Sequence, residues 1–120
     1  MAMTYAIVVA EDEEVVRLLI AEYLIDAGFK VLEASTAAEA LSCIHGSSPV
    51  DLLFSDVHMP GSMDGVALAN HLLITHQELP VILTSGRAVP QINPRHKHRR
   101  FIAKPYAFPE VEKQIRELLH

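Results

Sequence analysis

Three scarcities bound this sequence. It has one cysteine, Cys43, in 120 residues, so no internal disulfide can form. That fits a reducing compartment and leaves the thiol to pack as a small apolar group near a helix face. No apolar run approaches the roughly eighteen residues a membrane span needs. The opening MAMTYAIVVAEDEE lacks the basic leader and long apolar stretch of a secretory signal. A cytoplasmic chain without membrane contact is expected. There is no excess of positive charge either. Ten Lys and Arg against fifteen Asp and Glu give a formal net charge of −5, which argues against a nucleic-acid partner for this chain alone. No internal repeat, linker or low-complexity tract divides it.

What is present is an alternation of two periods. Half the residues are hydrophobic, enough for a core in a single domain spanning 1–120. YAIVVA at residues 5–10 is short, continuous and β-branched, like a strand covered on both faces. Val16, Leu19, Ile20, Tyr23, Leu24 and Ala27 then recur at helical steps, and Gly28 stands where a C-cap belongs. KVLEA at 30–34 predicts a second strand. Thr36 and Glu39 have capping-box spacing ahead of a helix through Ala40, Leu41 and Ile44 that closes at Gly46. VDLLFS at 50–55 predicts a third strand, and a helix from about Asp64 to His76 follows. PVILT at 80–84 and FIA at 101–103 predict strands four and five. Pro109 suits the first turn of a last helix with Val111, Ile115, Leu118 and Leu119 on one face.

Strands alternating with helices imply an α/β fold with a parallel sheet covered on both sides. One unit is irregular. Pro90 and Pro94 interrupt any helix between Ser85 and Phe101. The fourth helix is expected to be short, displaced or missing. The basic tract RHKHRR, Arg95 to Arg100, reads first as a solvated loop leading into the last strand, with a docking patch for an acidic partner, a nucleic-acid contact or a metal site at His96 and His98 as alternatives.

In open α/β sheets, ligands bind beyond the carboxyl ends of the strands. At those ends stand Glu11 and Asp12, then Asp56, then Thr84 and Ser85, then Lys104. Clustered carboxylates repel unless a cation intervenes. These are hard oxygen ligands, too few for a calcium cage, and Mg²⁺ suits them best. Lys104 can neutralise one carboxylate and later pair with an added phosphate. Glu13 and Asp51 read as turn or capping acids.

The segments IVVAEDE, LLFSDVHMPGSMDG, PVILTSG and FIAKP, in this order, resemble a response-regulator receiver domain of two-component signalling. The resemblance covers essentially the whole chain. It implies a doubly wound, flavodoxin-like five-stranded parallel sheet of order 2-1-3-4-5. It implies that Asp56 is the phosphoacceptor, supplied from a phosphohistidine on a sensor kinase or phosphotransfer protein. Glu11, Asp12, Asp56 and the backbone carbonyl of His58 would hold Mg²⁺. Lys104 would bind a phosphate oxygen. Ser85 and Phe101 would form the switch that presents a surface to a downstream protein. Such a module catalyses only its own phosphorylation and dephosphorylation.

The departures are Glu11 in place of the more usual aspartate, Ser85 where threonine is common, and a longer turn at MPGSMDG. A monomer or weak dimer is expected. The chain ends within its last helix, so a stand-alone receiver and a piece of a larger protein both remain open. Two alternatives compete with the phosphoacceptor reading. One is a Mg²⁺-dependent phosphotransferase or hydrolase using Asp56 on an external substrate, and the other is a pseudo-receiver scaffold.

Overall fold

The computed structural model describes residues 4–87 and 98–119. Its strands are β1 (Ala6–Ala10), β2 (Lys30–Ala34), β3 (Leu52–Asp56), β4 (Val81–Ser85) and β5 (Arg99–Ala103). Among the described residues the helices are α1 (Glu14–Asp26), α2 (Ala37–Ile44), α3 (Gly65–Thr75) and α4 (Phe108–Leu118). All strand pairings are parallel and the sheet order is β2-β1-β3-β4-β5. The expected architecture and strand order are both present. The segment 88–97, where a short, displaced or missing helix is expected, lies outside the described residues.

The central strands are apolar throughout because both of their faces are covered. Successive side chains alternate between two cores. Ile7, Val9, Leu52, Phe54, Ile82 and Ile102 pack under α1 and α4. Val8, Ala10, Leu53, Val81 and Leu83 pack under α2 and α3, with Phe101 partly buried beside them. Cys43 of α2 is half-buried against this second core, and burial raises its thiol pKa, as suits a packing residue.

Local chemistry sets the helix ends. Gly28 sits at φ +102°, a left-handed position that favours glycine. The amides of Gly28 and Phe29 donate to Ile25 and Leu24 carbonyls, both at 3.0 Å, which is a Schellman closure of α1. Thr36 Oγ1 accepts from the Glu39 amide at 3.1 Å, but the Glu39 carboxylate turns to Ser35 rather than to Thr36. The capping box is therefore half formed and shifted by one residue. Asp64 caps α3 by accepting from the Ala67 amide at 2.9 Å.

Three expectations need correction. Leu19, expected in the core face of α1, is exposed, and Ile20, Ala21 and Leu24 carry the burial. Strands three and four end one residue later than expected, so Asp56 and Ser85 are themselves strand residues. Strand five starts two residues earlier than expected, so Arg99 and Arg100 are not part of a solvated loop. Parallel pairing to Val81 and Ile82 brings them into the sheet. Arg99 then donates to the Ala69 carbonyl of α3, and Arg100 reaches Glu117 and Gln114 of α4.

Candidate functional site

Burial and register, rather than any one motif, assemble the site. β1 and β3 are adjacent, so Glu11 just past β1 faces Asp56 at the end of β3. The carboxylates of Glu11, Asp12 and Asp56 offer oxygens that all lie within 4.8 Å of one another. Glu11 and Asp56 are buried, at 4% and 6% exposure, while Asp12 is open to solvent. Lys104, delivered by the end of β5, bridges the two buried acids. Its Nζ donates to Asp56 Oδ2 at 2.8 Å and to Glu11 Oε1 at 2.9 Å.

The bridge shapes the electrostatics. Burial pushes the Glu11 carboxyl up to about 7, against the opposing hydrogen bonds from Lys104 and the Glu13 amide. Burial alone would pull the Lys104 ammonium down. Its hydrogen bonds to Asp56 and Glu11, and their charges, outweigh that and hold it firmly cationic. Tyr106, packed edge-on to Phe54, is pushed up to about 12 by burial first and by the Glu11 charge second.

Backbone groups complete the frame. The His58 amide donates to Asp56 Oδ1 at 3.1 Å. The Gly65 amide donates to the Val57 carbonyl at 2.8 Å, seating the start of α3 directly against the end of β3. The Glu13 amide donates to Glu11 Oε2 at 3.2 Å, and Asp51 Oδ2 accepts from the Ala6 amide at 2.7 Å. Glu13 stands at the N-cap position of α1 but its side chain makes no capping bond, and Asp51, expected as a turn or capping acid, instead ties the chain ahead of β3 to the start of β1.

Ser85 is buried, and its Oγ accepts from the Arg87 amide at 3.0 Å. The Lys104 amide donates to the Ser85 carbonyl at 3.0 Å, tying the ends of β4 and β5. Strand parity puts Ser85 on the same sheet face as Leu83 and Phe101, and puts Thr84 on the opposite face with Ile102. Glu11, Asp12, Asp56, His58, Ser85 and Lys104 are therefore at or just past the carboxyl ends of the strands, while Phe101 lies in the middle of β5, packed against the core. Arg17 escapes a sequence reading, and so does the close approach of Gly65 to the end of β3, although Gly65 itself closes the LLFSDVHMPGSMDG motif. Arg17 is a single cation on a helix, which ordinarily marks a solvated face.

The donor set fits a small hard cation. Three carboxylates converge from two strand ends, and Lys104 engages only two of them. An open parallel sheet of this order with an acidic, lysine-bridged cluster at its carboxyl edge defines a doubly wound α/β protein with its ligand site at the strand ends.

Comparison with known proteins makes that class specific. The family model for the response regulator receiver domain matches residues 7–116, and the chain belongs to that family. It is a regulatory module of two-component phosphorelay signalling. It is 36% identical over 91 residues to the transcriptional regulatory protein AruR of Pseudomonas aeruginosa, covering 72% of this chain and 36% of that protein. It is 32% identical over 117 residues to the sensor kinase CckA of Brucella abortus, covering 94% of this chain and 12% of that protein. The chain thus spans about a third of the first relative's length and about an eighth of the second's. Among solved structures, the response regulator TrrA of Thermotoga maritima in complex with Mg²⁺-BeF superposes with a TM-score of 0.84. It has 25% identity and covers 97% of this chain and 100% of that one. No described helix is long and apolar enough to cross a membrane.

Proposed function

We propose that residues 1–120 form a phosphoacceptor unit in which Asp56 receives a phosphoryl group from a phosphohistidine of a sensor kinase or phosphotransfer protein. The observation that carries this reading is the bridged pair: Lys104 Nζ contacts both Asp56 and Glu11 at the sheet edge. In the transfer, a carboxylate oxygen of Asp56 forms the new P–O bond. The P–N bond of the donor breaks, and its electron pair goes to the imidazole, which takes a proton from water.

Phosphoryl transfer asks a protein mainly for positioning and charge neutralisation. The His58 amide and Lys104 fix the two oxygens of Asp56. Glu11, Asp12 and Asp56, with the His58 carbonyl, would hold Mg²⁺, which when bound offsets repulsion between the carboxylate and the incoming phosphate. Lys104 is then placed to pair with a phosphate oxygen. The aspartyl phosphate adds about two negative charges and three acceptor oxygens. Ser85 would leave the Arg87 amide to reach one of them, and Phe101, on the same face, would follow and alter the surface a downstream protein reads.

The donor protein would dock beside Lys104. There, Val16 and Leu19 of α1 and Pro105 and Phe108 line a cavity of about 500 Å³ that also contacts Lys104. The outer face of α1 adds exposed Val15 and Leu18. We place the protein in the cytoplasm, as a monomer or weak dimer, with no reaction beyond its own phosphorylation and dephosphorylation.

The test is incubation with Mg²⁺ and phosphoramidate or acetyl phosphate, followed by intact mass. One added phosphoryl group, removed by hydroxylamine and absent in Asp56→Asn, is the expected result. An unmodified wild-type protein would sink the reading. Turnover of an external phosphoester would favour a hydrolase instead.

A further inference from the structure

We infer that Arg17 is a positioning residue for the acidic turn: its guanidinium fixes the Glu11–Asp12 peptide so that both side chains converge on Asp56. The inference rests on the metal-binding reading of that cluster.

Arg17 belongs to α1, whose second turn faces back toward the β1 end. Its side chain is only 16% exposed. Nη1 donates to the Glu11 carbonyl oxygen at 3.0 Å, and Nε pairs with Glu33 Oε1 of β2 at 3.2 Å. Glu33 thereby orients the guanidinium fork that meets the carbonyl. The Glu11 amide is held separately, by the Ala34 carbonyl of β2 at 3.0 Å. The turn is therefore anchored on one side by the edge strand and on the other by the helix.

The geometric consequence is specific. The Glu11 carbonyl belongs to the peptide plane that joins Glu11 to Asp12. Rotation of that plane moves the Asp12 amide and Cα together and swings its carboxylate. Asp12 is exposed, and among the described residues its carboxylate takes part in no ion pair and no resolved hydrogen bond of the site. Its direction is set mainly through the main chain. Arg17 holds that main chain.

Charge and position make opposite predictions. A guanidinium near a cation site weakens cation binding by repulsion, although Glu33 offsets much of that. If Arg17 acted only through its charge, its removal would tighten Mg²⁺ binding. If it positions the turn, removal weakens binding. Outer-shell partners of metal ligands contribute about 10-fold or more to affinity.

The experiment is Mg²⁺ titration by calorimetry on wild type, Arg17→Met, Arg17→Lys and Arg116→Ala, with urea melts of each in EDTA. Arg116 is a stability control, since it donates to the carbonyl of Ala27, the C-cap of α1, at 2.8 Å, at the end of the helix away from the acidic turn. Arg17→Met and Arg17→Lys should each raise the Mg²⁺ dissociation constant about 10-fold. The lysine fails because it keeps the charge and loses the fork. Arg116→Ala should lower the urea midpoint and leave the dissociation constant unchanged. An unchanged or smaller dissociation constant in Arg17→Met, whatever its stability, overturns the inference. A wild type that binds no Mg²⁺ overturns the metal reading itself, and this role of Arg17 with it.

Discussion

A Cβ built on Gly65 would lie 2.1 Å from the carbonyl oxygen of Asp56 and 2.9 Å from Val57 Cα. The start of α3 therefore touches the main chain of the proposed phosphoacceptor, and only a residue without a side chain permits it. Gly65→Ala must push α3 or the end of β3 aside. A cost of about 3 kcal/mol, the upper part of the overpacking range, is expected in urea melts. Phosphorylation by phosphoramidate should slow as well. A wild-type urea midpoint in Gly65→Ala would show that the approach relaxes freely.

Lys104→Met leaves the buried carboxylates of Glu11 and Asp56 facing each other without their ammonium. Breaking one side of such a bridge typically costs several kcal/mol, and the partial exposure of Lys104 argues for about 2–3. The loss should be large in EDTA and smaller in Mg²⁺, because the cation replaces the missing ammonium. Paired melts in the two buffers read this. Equal losses in both would separate Lys104 from the cation site.

Glu11 gives a pH dependence. Its carboxyl titrates near 4.5 in an unfolded chain and at about 7 in the folded, metal-free protein. Between these values the unfolded chain releases a proton that the folded state keeps. The contribution of Glu11 to stability is thus fully present in acid and is lost as pH rises toward 7. The expected loss is of order 1–3 kcal/mol. In EDTA, the stability difference between wild type and Glu11→Gln should shift against wild type from about pH 5 to about pH 7.5. A shift in wild type's favour would reverse the assignment.

Thr84 and Ser85 are neighbours with opposite expectations. Both are 1% exposed, but Thr84 Oγ1 has no hydrogen-bond partner among the described residues. Thr84→Val keeps the shape, removes an unsatisfied hydroxyl and should stabilise the protein by about 1 kcal/mol. Phosphorylation should proceed as before. Ser85→Ala should leave stability nearly unchanged and blunt the spectral change that follows phosphorylation, read by NMR at Phe101. Destabilisation by Thr84→Val would reveal a partner for its hydroxyl.

Much of this architecture is legible in the chain itself. The apolar runs in β1, β3 and β4 announce strands buried on both faces, and polar residues at their ends announce the edge that binds. The apolar spacing of α1 misled at Leu19, since the helix carries apolar residues on its outer face too and periodicity cannot say which face turns inward. Arg99 and Arg100 read as loop because a lone RR pair carries no strand signal. Their place in β5 comes from pairing with β4 and from carbonyl and carboxylate acceptors on α3 and α4.

The sequence by itself determined the alternation of elements, the acids and lysine at the strand ends, and the family motifs, because those depend on residue type and short-range spacing. Only the tertiary structure decided which of them meet. Lys104 lies 93 positions from Glu11 and 48 from Asp56, yet bonds both. Strand order brings those ends together, and no local pattern encodes a distance across a sheet. Burial of Glu11, the parity that separates Ser85 from Thr84, and the reach of Arg17 to the Glu11 carbonyl follow from that same packing.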